Sequence, residues 1–233
     1  MASQTISESA MKLFLIGDST MAERTNLEGP MRGWGQMLQP FLQSRVLVEN
    51  HATSGRSSKS FIGEGRWQKV LEAIEPGDYV FIQFGHNDQK NQDPKRFTNP
   101  YTGYRRNLER FVRETRHKKG HPVLLTSIVR RKFNDEGVLL DTHGTYPLVT
   151  RMVADDLDVP FIDLQQLTED LVIDWGVEKS KDLYVWVEAG NPHYPKGLKD
   201  NSHLSVAGGT EVSRLVAGAL KQLESPLASY LKK

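Results

Sequence analysis

Ser19, Asp200 and His203 are the residue types from which nucleophilic catalysis can be built. A serine hydroxyl is a weak nucleophile until a base within hydrogen-bond reach takes its proton, and that base needs an acid to hold one tautomer. Asp200 precedes His203 by about one helical turn, near enough for its carboxylate to reach the imidazole. The same chemistry needs donors aimed at the oxyanion that develops on the substrate. The Ser19 N–H, the Gly55 N–H and the Asn87 side-chain amide are candidates, the glycine because backbone can approach a ligand closely there. Ser19 lies in Gly17-Asp18-Ser19-Thr20, directly after the apolar run Leu13-Phe14-Leu15-Ile16. Taken alone, Asp18-Ser19 closes a strand and caps the next segment, with Gly17 allowing a sharp turn. The distant segments change that reading.

Those segments need a scaffold that brings them together, and the chain alternates strand and helix patterns throughout. Strands are predicted near Lys12–Ile16, Val46–Asn50, Tyr79–Phe84, Val123–Ser127 and Val159–Ile162. Helices are predicted from Trp34 to Leu42 (interrupted by Pro40), around Trp67–Ile74, and over Tyr101–His117, Tyr146–Leu157, Leu164–Trp175 and Ser205–Leu223. Thr53–Ser60 reads as a Ser/Gly-rich turn, Asn134–Gly137 as the tip of a small hairpin, and Glu188–Ser202 as a long loop. The alternation predicts an α/β fold with helices on both faces of a parallel sheet. In such a fold ligands sit beyond the carboxyl ends of the strands, where Asp18-Ser19 and Gly85-His86-Asn87-Asp88 fall.

The 233 residues suffice for one sizeable domain, and a formal net charge of +1 gives no general surface for a polyanion, which disfavours a nucleic-acid binder. With no cysteine, thiol catalysis, disulfides and cysteine metal sites are excluded. No stretch has the length and apolarity of a membrane span, and Met1–Met11 is polar without a signal-like apolar run. A cytoplasmic protein with no membrane partner is the expectation. His86, Asp88, His193, Asp200 and His203 have no metal-ligand spacing of recognised form, so no metal is expected. No phosphate-binding glycine pattern is present either.

Gly17-Asp18-Ser19, the turn at Gly55, Gly85-His86-Asn87-Asp88 and Asp200-Asn201-Ser202-His203 resemble, in order, the four blocks of the SGNH (GDSL-type) hydrolases. The resemblance implies a single-domain, three-layer α/β/α fold, flavodoxin-like, with a parallel five-stranded sheet. It would span residues 12–225 between a polar tail, 1–11, and a C-terminal tail, 226–233. It implies Ser19 as nucleophile, His203 as general base then acid, Asp200 as the orienting carboxylate, and Ser19, Gly55 and Asn87 as oxyanion donors, with no cofactor. Asp18 and Asp88 would brace the turns, and His86 is a candidate substrate contact. Gly33-Trp34-Gly35-Gln36, Gly55-Arg56-Ser57-Ser58 and Asn99-Pro100-Tyr101-Thr102 are similar to the rhamnogalacturonan acetylesterase branch. The implied activity is a serine esterase releasing acetyl groups from pectic rhamnogalacturonan. Alternatives are an esterase or thioesterase for other small acyl esters, acetyl-xylan among them, and a non-catalytic sugar binder. Trp34 is read as packing the first helix, and Arg130-Arg131-Lys132 as a solvated face. Arg24, Arg32 and Arg56 are candidates for a contact with a substrate carboxylate.

Overall fold

The computed structural model describes residues 10–223 and 225–232; residues 1–9 of the expected polar tail lie outside the described residues. Five parallel strands form the central sheet: β1 (Met11–Gly17), β2 (Val46–Asn50), β3 (Tyr79–Gln83), β4 (His121–Leu125) and β5 (Phe161–Ile162). Their spatial order is β2-β1-β3-β4-β5, which places β1 and β3 side by side at the centre. Gly17 pairs with Gln83, so the residues after each strand, Asp18-Ser19 and Phe84 to Asp88, emerge together at one edge.

Side chains alternate across this sheet, and both faces are buried. Leu13, Leu15, Phe81 and Leu125 face a cluster with Trp34, Val212, Val216 and Leu220. Phe14, Ile16, Val80, Ile82 and Leu124 face another with Trp67, Phe111, Val112 and Val153. The helices covering these faces are α1 (Ser58–Gly63), α2 (Arg66–Ala73), α3 (Arg105–His117), α4 (Tyr146–Asp156), α5 (Leu164–Lys179) and α6 (Val206–Gln222). Among the described residues no helix is long and apolar enough to cross a membrane.

Several local expectations change. The helix predicted from Trp34 to Leu42 is two short 3₁₀ turns, Trp34–Met37 and Gln39–Phe41, because Pro40 has no N–H to continue a helix. Thr53–Ser60, predicted as a turn throughout, instead starts α1 at Ser58. Ser57 caps it, its hydroxyl accepting from the Ser60 N–H while the Ser60 hydroxyl accepts from the Ser57 N–H. A π-turn at Pro100–Tyr104 leads into α3. The predicted hairpin tip is present, with the Asn134 N–H donating to the Val138 carbonyl.

The long loop predicted over Glu188–Ser202 is largely a two-stranded antiparallel sheet, β6 (Tyr184–Ala189) with β7 (Lys196–Leu204). β7 reads Lys-Gly-Leu-Lys-Asp-Asn-Ser-His-Leu, which lacks the apolar alternation that announces a half-buried strand. The expected C-terminal tail also changes: Leu227 and Leu231 are buried in the core and Leu231 bridges Leu42, so the described part, 226–232, is docked onto the domain.

Candidate active site

The turn after β1 is built around the Asp18 carboxylate. Its Oδ1 accepts from the Thr20 N–H and hydroxyl, both at 2.9 Å, and the Asp18 carbonyl accepts from the N–H groups of Met21 and Ala22. This is a single turn and not the start of a helix. Gly17 is glycine for a different reason from the one its position suggests. It is the last residue of β1, and a Cβ there would sit 2.7 Å from the Gln83 carbonyl oxygen. Close approach of β3, not a reversal of the chain, excludes a side chain. Asp18 is fully buried, its Oδ2 has no hydrogen-bond partner among the described residues, and burial pushes its carboxyl above the usual range despite the Thr20 bonds.

Trp34 is fully buried under this turn and donates from its indole N–H to the Gln83 side-chain oxygen at 2.7 Å. Gln36, from the same segment, holds Arg24 by its backbone at both N–H and carbonyl. The Arg24 guanidinium then joins the Ser19 carbonyl (3.0 Å) to the Ser54 hydroxyl (2.8 Å), tying the serine turn to the Gly55 turn. Gly33-Trp34-Gly35-Gln36 is therefore a support for the site and not a sugar platform.

Asp200 and His203 reach Ser19 through a defect in β7. Leu204 pairs with Tyr184 and Lys199 with Trp186, so residues 200–203 bulge out of the ladder. A bulge bends a strand and re-aims its side chains. Asp200 shapes this one, its Oδ1 accepting from the N–H groups of Ser202 (2.7 Å) and His203 (2.9 Å). The Asp200–His203 reach expected of a helical turn is thus made by a side-chain-capped bulge. The His203 Nδ1–H donates to Asp200 Oδ2 at 2.7 Å, and the Ser19 hydroxyl donates to His203 Nε2 at 2.9 Å. The partners assign the tautomer: a carboxylate only accepts from Nδ1, which leaves the Nε2 lone pair facing the serine. Burial alone would raise the Asp200 carboxyl, but hydrogen bonds from the His203 ring and from the two backbone N–H groups outweigh it and hold it at about 2.

Three donors beside Ser19 remain open. Neither the Ser19 N–H nor the Gly55 N–H makes a hydrogen bond among the described residues. Gly55 has φ +77°, the left-handed region, which glycine adopts without strain. Asn87 donates one side-chain N–H to the Arg56 carbonyl at 3.1 Å, which leaves its second N–H unused and links it to the Gly55 turn. Asp88 anchors this corner from below. It accepts from the Ser58 N–H, the Ser58 hydroxyl (2.5 Å) and the Thr98 hydroxyl (2.8 Å), while burial pushes its carboxyl up to about 6. Asp18 and Asp88 thus stand where bracing residues were expected.

The open side is a pocket of about 160 Å³ lined by Ser19, Thr20, His86, Asn87, Lys90, Arg130, Ser202 and His203. No aliphatic or aromatic hydrocarbon side chain takes part. His86 is in this wall and packed as well. Its Nε2 donates to the Ile128 carbonyl at 3.0 Å, its ring meets His143 edge-on, and burial holds it well below the ordinary histidine range, hence neutral. His193 lies elsewhere, on Asn26.

Sequence reasoning missed how the bulge is held. Arg131 is buried, not part of a solvated face. It donates to the Asn201 side-chain oxygen (3.1 Å), to the Ser180 hydroxyl (3.0 Å) and to the Val177 carbonyl, and its guanidinium lies 5.0 Å from the Trp186 ring. Trp186 donates to the same Asn201 oxygen at 2.9 Å. A run of three cations gave no sign that its members divide: Arg130 lines the pocket, Arg131 holds the bulge, and Lys132 is exposed. The arginines expected near a substrate carboxylate are occupied. Arg24 holds two loops together, Arg32 is engaged by the carbonyls of Asn26, Leu27, Gly29 and Met31, and Arg56 pairs with Glu64.

Comparison with known proteins shows the family and the fold. Residues 15–209 match the GDSL-like lipase/acylhydrolase family. A rhamnogalacturonan acetylesterase of Bacillus subtilis (strain 168) is 44% identical over 95% of this chain and 94% of its own length. A probable rhamnogalacturonan acetylesterase of the same strain is 35% identical over 96% and 99%. Among solved structures, an acetylxylan esterase from Geobacillus stearothermophilus superposes with a TM-score of 0.63 at 22% identity, covering 91% of this chain and 94% of that one. At that identity the likeness concerns the fold, a five-stranded parallel sheet between helices. From β1 to the first turn of α6 the match takes in every segment that builds the site, and the chain belongs to the GDSL-like lipase/acylhydrolase family.

Proposed function

We propose that the protein is a serine esterase that removes O-acetyl groups from a carbohydrate, with acetylated rhamnogalacturonan oligosaccharides as the substrate. One observation carries the reading: the hydrogen-bonded line Asp200–His203–Ser19 opens into a pocket of about 160 Å³ lined by polar and charged residues. Pockets for drug-sized ligands run to about 300–1,000 Å³ and are mostly apolar. A long acyl chain gains about 0.8 kcal/mol per methylene against apolar surface, and this wall presents no hydrocarbon side chain to it. An acetyl group on a hydroxyl-rich alcohol suits it. The 44% identity to a rhamnogalacturonan acetylesterase supports the choice of sugar.

In the mechanism, His203 Nε2 takes the Ser19 proton as Oγ attacks the acetyl carbonyl carbon. The oxyanion so formed accepts from the Ser19 N–H, the Gly55 N–H and the free Asn87 N–H. The C–O bond to the sugar breaks, and His203 returns the proton to the departing sugar hydroxyl. Water then attacks acetyl-Ser19 with the same base, releasing acetate and restoring the serine. Asp200, ionised throughout, stabilises the imidazolium in both halves.

The test is acetate release from acetylated rhamnogalacturonan oligosaccharides, beside acetylated xylan and p-nitrophenyl esters of increasing acyl length. Highest kcat/KM on the pectic substrate, with activity falling beyond acetyl, is the expected result. A preference for longer acyl chains would overturn the carbohydrate reading.

A further inference from the structure

The catalytic pocket contains two cations that the deacetylation chemistry does not use. Lys90 and Arg130 line it together with Ser19 and His203. The Lys90 ammonium has no hydrogen-bond or ion-pair partner among the described residues. Arg130 forms no ion pair there either. Its guanidinium is steadied by the carbonyl of Thr142, the Thr142 hydroxyl and the carbonyl of His86. Those oxygens fix its plane, and donors remain among its five.

Two unpaired cations converging on one small pocket repel each other, and that arrangement persists when an anion is to occupy the space between them. Burial, together with the charges of Arg96 and Arg130, lowers the Lys90 ammonium, which agrees with the crowding. The acids whose charges reach the pair form no ion pair with it. Asp18 acts on both cations from its buried position. Asp93 acts on Lys90 but is paired with Arg96, and Asp141 acts on Arg130 but accepts from the His143 and Gly144 N–H groups. His86, which lines the same pocket, is neutral and adds no charge.

We propose that Lys90 and Arg130 form a carboxylate subsite beside Ser19, which selects acidic, uronate-type sugars as the alcohol side of the ester. This rests on the carbohydrate esterase reading and adds to it the feature of the sugar that is recognised. The carboxylate contact is made equally in the bound ester and in the transition state, so it acts on KM more than on kcat. Arg130 supplies oriented donors and Lys90 a point charge at the mouth.

The experiment compares kcat/KM on an acetylated uronate-containing oligosaccharide with that on the same oligosaccharide after its carboxyl groups have been reduced to alcohols. The wild-type protein should prefer the acid form by about tenfold, chiefly through KM, and added salt should narrow the gap. Lys90→Met should shrink the preference several-fold, and Lys90→Glu should reverse it. Lys90 is exposed and supports nothing, so these variants fold; Arg130→Lys provides a second, milder reading at the other cation. Equal wild-type turnover of the two substrates overturns the subsite while leaving the esterase reading intact. A preference that survives both Lys90 variants and Arg130→Lys overturns it as well. Failure to release acetate from either substrate removes the esterase reading, and the subsite with it.

Discussion

Replacing Asp200 by Asn leaves the shape of the site unchanged and removes its chemistry. Asp200 Oδ1 is fixed by two backbone N–H groups, at 2.7 and 2.9 Å, and Oδ2 by the His203 Nδ1–H at 2.7 Å. An Asn side chain must keep its carbonyl on the two N–H donors, because turning it over would set NH₂ against them. Its NH₂ then faces Nδ1 and donates to it. Nδ1 becomes an acceptor, the imidazole proton moves to Nε2, and Ser19 loses its base. Loss of tautomer control in a serine-histidine-aspartate triad lowers kcat by about 10⁴, which at about 1.36 kcal/mol per tenfold is about 5 kcal/mol. The rate that remains comes from the Ser19, Gly55 and Asn87 donors. The assay is kcat on p-nitrophenyl acetate and on the acetylated oligosaccharide, with thermal unfolding to verify the fold. A variant that unfolds normally yet keeps more than a tenth of the wild-type kcat would refute the reasoning.

Other outcomes depend on the same geometry. Because Asp200 is held at about 2, it stays ionised across the range in which imidazole titrates, so the acidic limb of kcat/KM against pH should fall with a slope of one proton; a slope of two would contradict this. Asp88 is raised to about 6 in the fold from an ordinary value of 3.8. The native state therefore binds more protons between these values, and stability should fall as pH rises from about 4 to about 6 and then level off. Asp88→Asn should flatten that decline in Tm, and an unchanged pH dependence would contradict the assignment. Arg131→Lys cannot reproduce the fork onto Asn201 and Ser180, so the bulge should loosen, with kcat down by about ten- to a hundredfold and KM little changed. A kcat equal to the wild type would remove Arg131 from the site's support. Trp34→Phe leaves the Gln83 oxygen buried without its 2.7 Å donor, a loss of about 1–3 kcal/mol that denaturant unfolding would register.

The parts legible in the sequence were those that depend on local pattern. β1, β3 and β4 are buried on both faces, so they appear as unbroken apolar runs, and their ends locate Ser19 and Asn87. Less legible was anything set by tertiary contact. Gly17 looks like a turn residue, and only the pairing with Gln83 shows that β3 excludes its side chain. The bulge carrying Asp200 and His203 lies in a polar strand whose register is fixed by Tyr184 and Trp186, neither of which announces a partner so far along the chain. Arg130 and Arg131 are adjacent in the chain and face opposite tasks, one toward the pocket and one under the bulge. Burial of a cation beside hydroxyl and carbonyl oxygens leaves no periodic signal. Pro40 was visible, and its effect on the segment after Trp34 was stronger than a kink.

The most direct test of the account is whether Ser19 carries the acetyl group during turnover. The protein is mixed with excess p-nitrophenyl acetate, quenched in acid within the first turnovers, digested, and the peptides are weighed. One acetyl group on the peptide containing Ser19, absent in Ser19→Ala, together with loss of turnover in that variant, is the predicted result. Continued turnover by Ser19→Ala, or an acetyl group carried by another residue while Ser19 stays free, would contradict it.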